Sequence, residues 1–373
     1  MDCSLIAVAA FIATTSGSPP PATHALAWFD LGHRVVAQIA ASRLTPHTTE
    51  AVRDLLGGQE LADASIWADR IRGQRRNTGA LHFVNIPLDA GAYDPQAYCP
   101  NGQCIIAAIE TDRQILADPS ATSVARTEAL RFLIHLIGDL HQPLHVSDNN
   151  DKGGNQTQVQ FFGSGTNLHK VWDGQLVEQS GMDEGQYLDH LDRRMATLDL
   201  ASFERGTVVD WAMEGHQIAV QSAYRIPRNR QLSENYEAAN LPNVDLALIK
   251  AGVRLAKVLN DALANYQPAP PAPSLGRGIY SDREAAAHAG EDATVVGTVV
   301  TVHRTASGNL YINFGADYPH QTFSGAVLNP QDPALLRLDA LIGKRVGIKG
   351  PIHLYKGQAE IVVKSIDQIR VIE

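Results

Sequence analysis

The sequence predicts a multi-domain chain that is mainly α-helical first and closes with a small all-β barrel. Three observations carry this reading. Apolar residues recur at three- and four-residue spacing between Trp28 and about Tyr266, the period of an amphipathic helix. A Pro-rich stretch, Gln267-Pro-Ala-Pro-Pro-Ala-Pro-Ser274, then interrupts the pattern and reads as a semi-rigid spacer. Beyond it the period shortens to the alternation of β-branched strands punctuated by Gly and Asn.

The elements follow in order. Residues 3–13 form a short apolar run, too short for a membrane anchor, and Ala25-Leu26-Ala27 is a small-x-small cleavage signature. Although the usual positive n-region is missing, residues 1–27 read as a signal peptide cleaved before Trp28. The mature protein is then secreted or periplasmic, with no stable membrane insertion. Residues 28–266 form the helical domain, with helices expected at Leu31–Leu44, Thr127–Leu140, Gly185–Leu198 and Asp245–Tyr266. Residues 267–274 are the linker. In 275–373, strands are expected at Ala293–Arg304, Asn309–Gly315, Thr322–Leu328, Arg345–Gly350 and Gln358–Lys364, with a helical stretch, Pro333–Leu341, after the third. Five strands with a helix between the third and fourth is the order of an OB-like barrel.

Composition is that of a soluble globular protein, 44% hydrophobic and 19% charged. The net charge of −9 argues against holding phosphates through Lys and Arg alone. That objection weakens if bound metal dications neutralise part of the acidic complement. Of three cysteines, Cys3 lies in the N-terminal apolar run. Cys99 and Cys104 can close a small disulfide or remain two free thiols, and the residues alone leave both open.

The chemistry concentrates in Arg131-Phe-Leu-Ile-His135-Leu-Ile-Gly-Asp139-Leu-His141-Gln-Pro-Leu-His145. On a helix, His135 and Asp139 stand one turn apart on one face. Pro143 breaks that helix, so His145 comes from a differently directed segment. His169 and Asp173, in Leu-His-Lys-Val-Trp-Asp, repeat the spacing. Imidazole nitrogen with carboxylate oxygen suits zinc or another borderline dication. One such pair is ordinarily a surface ion pair. Two, each in apolar helix where a bare charge is costly, point to metal. His33, Asp69 in Ile-Trp-Ala-Asp69-Arg-Ile-Arg72, and His82 in Leu-His82-Phe83-Val-Asn85 are further candidates that spacing alone does not assemble.

Taken together, these segments resemble the zinc-dependent, single-strand-specific nuclease family of fungi and plants, nucleases S-one and P-one, whose mainly helical fold is shared with bacterial zinc phospholipase C. Five motifs agree in order along residues 28–266. The resemblance implies three zinc ions. One would take Asp69, His82, His135 and a shared Asp139. Its neighbour would take His33, the other side of Asp139, and the amino and carbonyl groups of Trp28, an amine freed only when Ala27 is removed. The third would take His145, His169 and Asp173. It also implies a Cys99–Cys104 disulfide, Arg72 steadying phosphoryl oxygens, Phe83 stacking a base, and a substrate contact at Asn155 in Gly153-Gly154-Asn155. A solvated cation and a core phenylalanine are the plain readings of Arg72 and Phe83. Asn85 departs from the fungal pattern, where an aspartate reads base edges; an amide both donates and accepts. His141 has no counterpart ligand and is expected to be structural.

The implied activity is hydrolysis of phosphodiester bonds in single-stranded DNA or RNA to 5′-phosphate products, extending to 3′-nucleotidase action on nucleotides, with no obligate protein partner. The C-terminal segment resembles OB-like modules appended to bacterial members, and its basic and aromatic residues suit single strands. All nine candidate ligands precede the linker, so the chemistry is expected to be separable from that segment. Two other readings stay open: a zinc phospholipase C acting on lipid phosphodiesters, and a non-catalytic exported nucleic-acid-binding protein.

Overall fold

A computed structural model of the chain describes residues 27–73, 75–268, 278–305, 307–318, 320–330 and 333–372. The apolar run and cleavage signature lie outside the described residues, as does most of the Pro-rich stretch. Among the described residues, no helix is long and apolar enough to cross a membrane.

The first part is built on three long helices, Ala27–Ala41, Ser123–Leu140 and Glu234–Ala262. Ser123–Leu140 is the central one. Thr122 caps it by accepting from the Ala125 amide, and nearly every side chain from Arg126 onward is buried. A helix buried all round must find partners for its polar groups inside the protein, and here those groups include Arg131, His135 and Asp139. The helix Ala27–Ala41 packs closely on Glu234–Ala262: a Cβ on Gly252 would lie 2.5 Å from Ile39 Cγ2. The shorter helices Ile105–Ala117, Glu184–Met195 and Val208–Ile218 complete the layer. The long helix begins earlier than the periodicity suggested because its exposed first turns carry little apolar signal. A disulfide joins Cys99 and Cys104.

Polar residues hide one small sheet within this helical part. Strands β1 (Gln158–Phe161) and β2 (Ser164–Asn167) form a hairpin, and β1 also pairs with β3 (Gln231–Leu232).

The C-terminal part is a seven-stranded sheet region with its own apolar core. Its strands are β4 (Ile279–Ser281), β5 (Asp292–Arg304), β6 (Leu310–Phe314), β7 (Phe323–Val327), β8 (Arg345–Tyr355), β9 (Gln358–Val362) and β10 (Ile369–Val371). A 3-10 helix, Pro333–Leu341, lies between β7 and β8. β5 pairs with β8 through Asp292–Thr298 and with β6 from Val299 onward. β6 pairs with β7, β7 with β9, and β9 with β8, so the pairings return to β5. Gly297 lets β5 pack tightly on β6, because a Cβ there would meet Phe314 at 2.7 Å. The short strands β4 and β10 were not legible in the sequence.

Candidate metal centre

Asp139 is the hub of the site. Its Oδ2 lies 2.9 Å from His82 Nδ1 and 3.1 Å from His135 Nε2. Its Oδ1 lies 3.3 Å from His33 Nε2 and 3.3 Å from His145 Nδ1. Each ring arrives on a different element. His33 comes from the first long helix, His82 from the end of the 3-10 turn Arg76–His82, His135 from one turn earlier on the central helix, and His145 from the turn Pro143–His145. Asp69, on the short helix Trp67–Ile71, stands 3.7 Å from both His82 Nδ1 and His135 Nε2. A second hub is Asp173, in a π-helical turn, 3.4 Å from His145 Nε2 and 3.2 Å from His169 Nε2.

Carbonyl groups set the tautomers. His135 Nδ1 donates to the Ser65 carbonyl at 2.7 Å, His145 Nδ1 to that of His82 at 3.0 Å, and His169 Nδ1 to that of Gly153 at 2.7 Å. A carbonyl only accepts, so each ring carries a proton on Nδ1, and in the neutral form that binds metal its lone pair is on Nε2. His135 Nε2 faces Asp139 Oδ2, and His169 Nε2 faces Asp173 Oδ2. Asp173 Oδ2, His33 Nδ1 and His82 Nε2 are buried with no hydrogen-bond partner among the described residues. Imidazole nitrogens and carboxylate oxygens converging at these distances need a proton or a metal cation among them. The donor atoms fit a metal in three groups: His33, His135 and Asp139; Asp69, His82 and His135; His145, His169 and Asp173.

Burial would raise the Asp139 carboxyl, but pairing with His135 and His145 outweighs it and holds the group well below the usual carboxylate range. The carboxylates in turn overcome burial, raising His135 and pushing His145 up to about 10, so a metal ion binds there by displacing protons. Burial lowers His33 and His82, keeping both neutral and able to ligate.

Around the hubs, Arg72 Nη1 donates to Asp69 Oδ1 at 3.0 Å and is otherwise largely open to solvent. The extended stretch after His82 alternates: Val84 and Ile86 are buried, while Phe83, 39% exposed, and Asn85 face outward. That pattern excludes the core reading of Phe83. Asn155 is exposed and donates to the Lys152 carbonyl, at the end of the loop that supplies the Gly153 carbonyl to His169. Trp28 lies in the first turn of the helix that carries His33, and its side chain is outside the described residues. His141 is buried, donating to the Ile137 carbonyl and accepting from Arg254; burial and that guanidinium push its pKa down to about 3. Fully partnered and neutral, it is structural.

Residues 28–264 match the protein family described as S1/P1 Nuclease. The chain belongs to the S1/P1 nuclease family. Relatives include Endonuclease 2 of Arabidopsis thaliana, 33% identical over 261 residues that cover 62% of this chain and 89% of the relative. Nuclease S1 of Aspergillus oryzae is 30% identical, with 62% and 91% covered. Nuclease P1 of Penicillium citrinum is 27% identical, with 63% and 97% covered. S1/P1 nucleases are zinc-dependent hydrolases acting on nucleic acid, and this chain is such a nuclease.

Four supporting groups escaped the sequence reading. Gln142 donates to Asp173 Oδ1 at 2.6 Å and fixes the second hub. The Ser65 and Gly153 carbonyls orient ligands through backbone, which leaves no side-chain signature. Gly138 did leave one. A glycine inside a buried helix is about 1 kcal/mol less favourable than alanine, which signals close packing.

Proposed function

We propose that the chain is an exported endonuclease that holds three zinc ions and hydrolyses single-stranded DNA or RNA to 5′-phosphate products, with 3′-nucleotidase action at the same site. The carrying observation is the pair of buried carboxylates, Asp139 and Asp173, each faced by imidazole nitrogens from several elements in groups whose donor atoms fit a metal. One ion would be held by Asp69, His82, His135 and Asp139; a neighbour by His33, the other Asp139 oxygen and the amino and carbonyl groups of a mature N-terminal Trp28; the third by His145, His169 and Asp173. When bound, zinc supplies Lewis-acid charge for the phosphodiester and lowers the pKa of water.

The chain's own groups do the rest. Arg72, anchored on Asp69 with its remaining N–H groups free to turn outward, donates to phosphoryl oxygens. Phe83 offers an exposed ring on which an unpaired base stacks, a face that duplex bases do not present. Asn85, on the same side of the extended stretch, meets a base edge with donor and acceptor, and Asn155 contacts the strand from the opposite loop.

Residues 28–266 form the nuclease domain, 267–274 the linker and 275–373 an OB-like barrel. The return of the strand pairings to β5 and the helix between β7 and β8 support the barrel. The deciding experiment uses protein beginning at Trp28, assayed on single-stranded DNA, duplex DNA and phosphatidylcholine vesicles. Zinc-dependent cleavage of the single strand alone is expected. Equal duplex cleavage would refute strand selectivity, and choline phosphate release would make it a phospholipase.

A further inference from the structure

The five residues Ser65–Asp69 carry two parts of the proposed metal centre. Ser65 gives its carbonyl to His135, and Asp69 is itself a candidate ligand. Between them stands Trp67. Its ring is held edge-on against Phe132 at 5.2 Å, and the guanidinium groups of Arg131 and Arg75 lie 5.4 Å and 5.9 Å from its centroid. Arg131 belongs to the central helix, one turn before His135. It is 3% exposed, and its Nε has no hydrogen-bond partner among the described residues. A buried cation needs a countercharge. Among the described residues, the one carboxylate within ion-pair distance comes from the C-terminal part: Asp317 Oδ2, 3.8 Å from Arg131 Nη1. The same oxygen accepts from Trp67 Nε1 at 3.4 Å.

Asp317 is presented by a braced loop between β6 and β7. The Thr322 and Ala316 amides both donate to the Phe314 carbonyl, and the His320 amide donates to that of Asp317. Gly315, at φ +74°, makes the loop possible, since a Cβ there would lie 2.4 Å from Thr322 Oγ1. One carboxylate from the second part therefore holds two handles, Trp67 on the Asp69 segment and Arg131 on the His135 helix.

We propose that Asp317 is a positioning residue for the metal centre: through Trp67 and Arg131 it sets the spacing between Asp69 and His135. The C-terminal part is then a structural member of the site, and its removal is not neutral for the chemistry, contrary to the separability expected from the order of the ligands in the sequence. The inference rests on the assignment of Asp69 and His135 as zinc ligands.

The test uses the full mature chain with Asp317→Ala, Asp317→Asn and Asp317→Glu. The control is Arg283→Ala, which removes a different contact between the two parts, the pair with Asp54 on the helix Pro46–Leu55, where no candidate ligand lies. Two readouts are taken: kcat and KM on a dinucleotide, and the rate of zinc loss to a chelator. Direct neighbours of a ligand are typically worth about 10–100-fold, so for this more remote group a fall in kcat of about fivefold is expected, at unchanged KM, in the Ala and Asn variants. Zinc loss should accelerate by a similar factor, Asp317→Glu should recover most of both, and Arg283→Ala should match wild type. Should Asp317→Ala fail to fold, the isosteric Asn variant carries the comparison. Wild-type behaviour of the Ala and Asn variants overturns the inference alone, as does an equal loss in Arg283→Ala, or a loss confined to long DNA. A wild-type protein that binds no zinc overturns the functional reading with it.

Discussion

The His33 ring occupies the place where a side chain on Gly138 would stand: a Cβ at Gly138 would lie 2.7 Å from His33 Nδ1. The glycine, one residue before Asp139 on the central helix, is what lets an imidazole from the first long helix reach the carboxylate. Gly138→Ala should strengthen the isolated helix, since alanine is the better helix former. It should nevertheless displace His33. The expected outcome is far-UV circular dichroism close to wild type with activity down at least about tenfold. Native activity in a folded Gly138→Ala protein would mean that His33 is dispensable.

Gly153 does for His169 what Gly138 does for His33, by another route. Its carbonyl fixes the His169 tautomer, and its φ of +59° leaves the absent Cβ only 2.4 Å from the Leu144 carbonyl oxygen. Gly153→Ala must therefore move either the loop or the turn that carries His145. Zinc should be lost at the His145–His169–Asp173 group, lowering the content by one ion per chain while the Asp139 hub keeps its metal. Unchanged zinc content with unchanged activity would remove the loop from the design.

How far the sequence revealed the site depended on where its information lay. The helical pairs His135 with Asp139 and His169 with Asp173 were legible because the period of a helix puts such residues on one face. The strands β5 to β9 were legible by alternation. The convergence of His33, Asp69 and His82 was not, since it depends on three elements meeting at one carboxylate. Nor was the hairpin of β1 and β2: β1 alternates over only four residues, and β2, Ser-Gly-Thr-Asn, carries no apolar residue. The link from Asp317 to Trp67 spans 250 positions and has no local signature.

Asp112 gives a pH test separate from metal binding. Burial, with Glu128 adding repulsion, pushes its carboxyl up to about 7. A raised folded-state pKa means that the folded protein holds the proton more tightly than the unfolded chain. The group's contribution to stability therefore falls as pH rises between the unfolded carboxyl value near 4 and about 7. Asp112→Asn should be more stable than wild type at pH 8, by about 1 kcal/mol once solvent screening is allowed for, or a few degrees in Tm. The gap should close by about pH 4.5. Measuring the difference in Tm between the two proteins cancels any metal contribution common to both. A gap independent of pH would show that Asp112 titrates normally.

Processing at the N-terminus should matter chemically. An amine ligand at Trp28 exists only after cleavage of the Ala27–Trp28 bond. Protein carrying one extra residue before Trp28 should lose one zinc per chain and most of its activity. Full zinc and full turnover in the extended protein would exclude Trp28 from the metal centre.

The most direct measurement is zinc bound per chain, by elemental analysis of the mature wild type beside Asp139→Asn. The amide keeps the volume of the carboxylate but cannot supply two anionic oxygens to a pair of ions. Wild type should bind three zinc ions, one for each donor group. Asp139→Asn should keep one, at His145, His169 and Asp173, with cleavage reduced roughly a thousandfold or more and helical content retained. A wild type that binds no zinc, or an Asp139→Asn protein with near-native zinc and turnover, would contradict the centre built on Asp139.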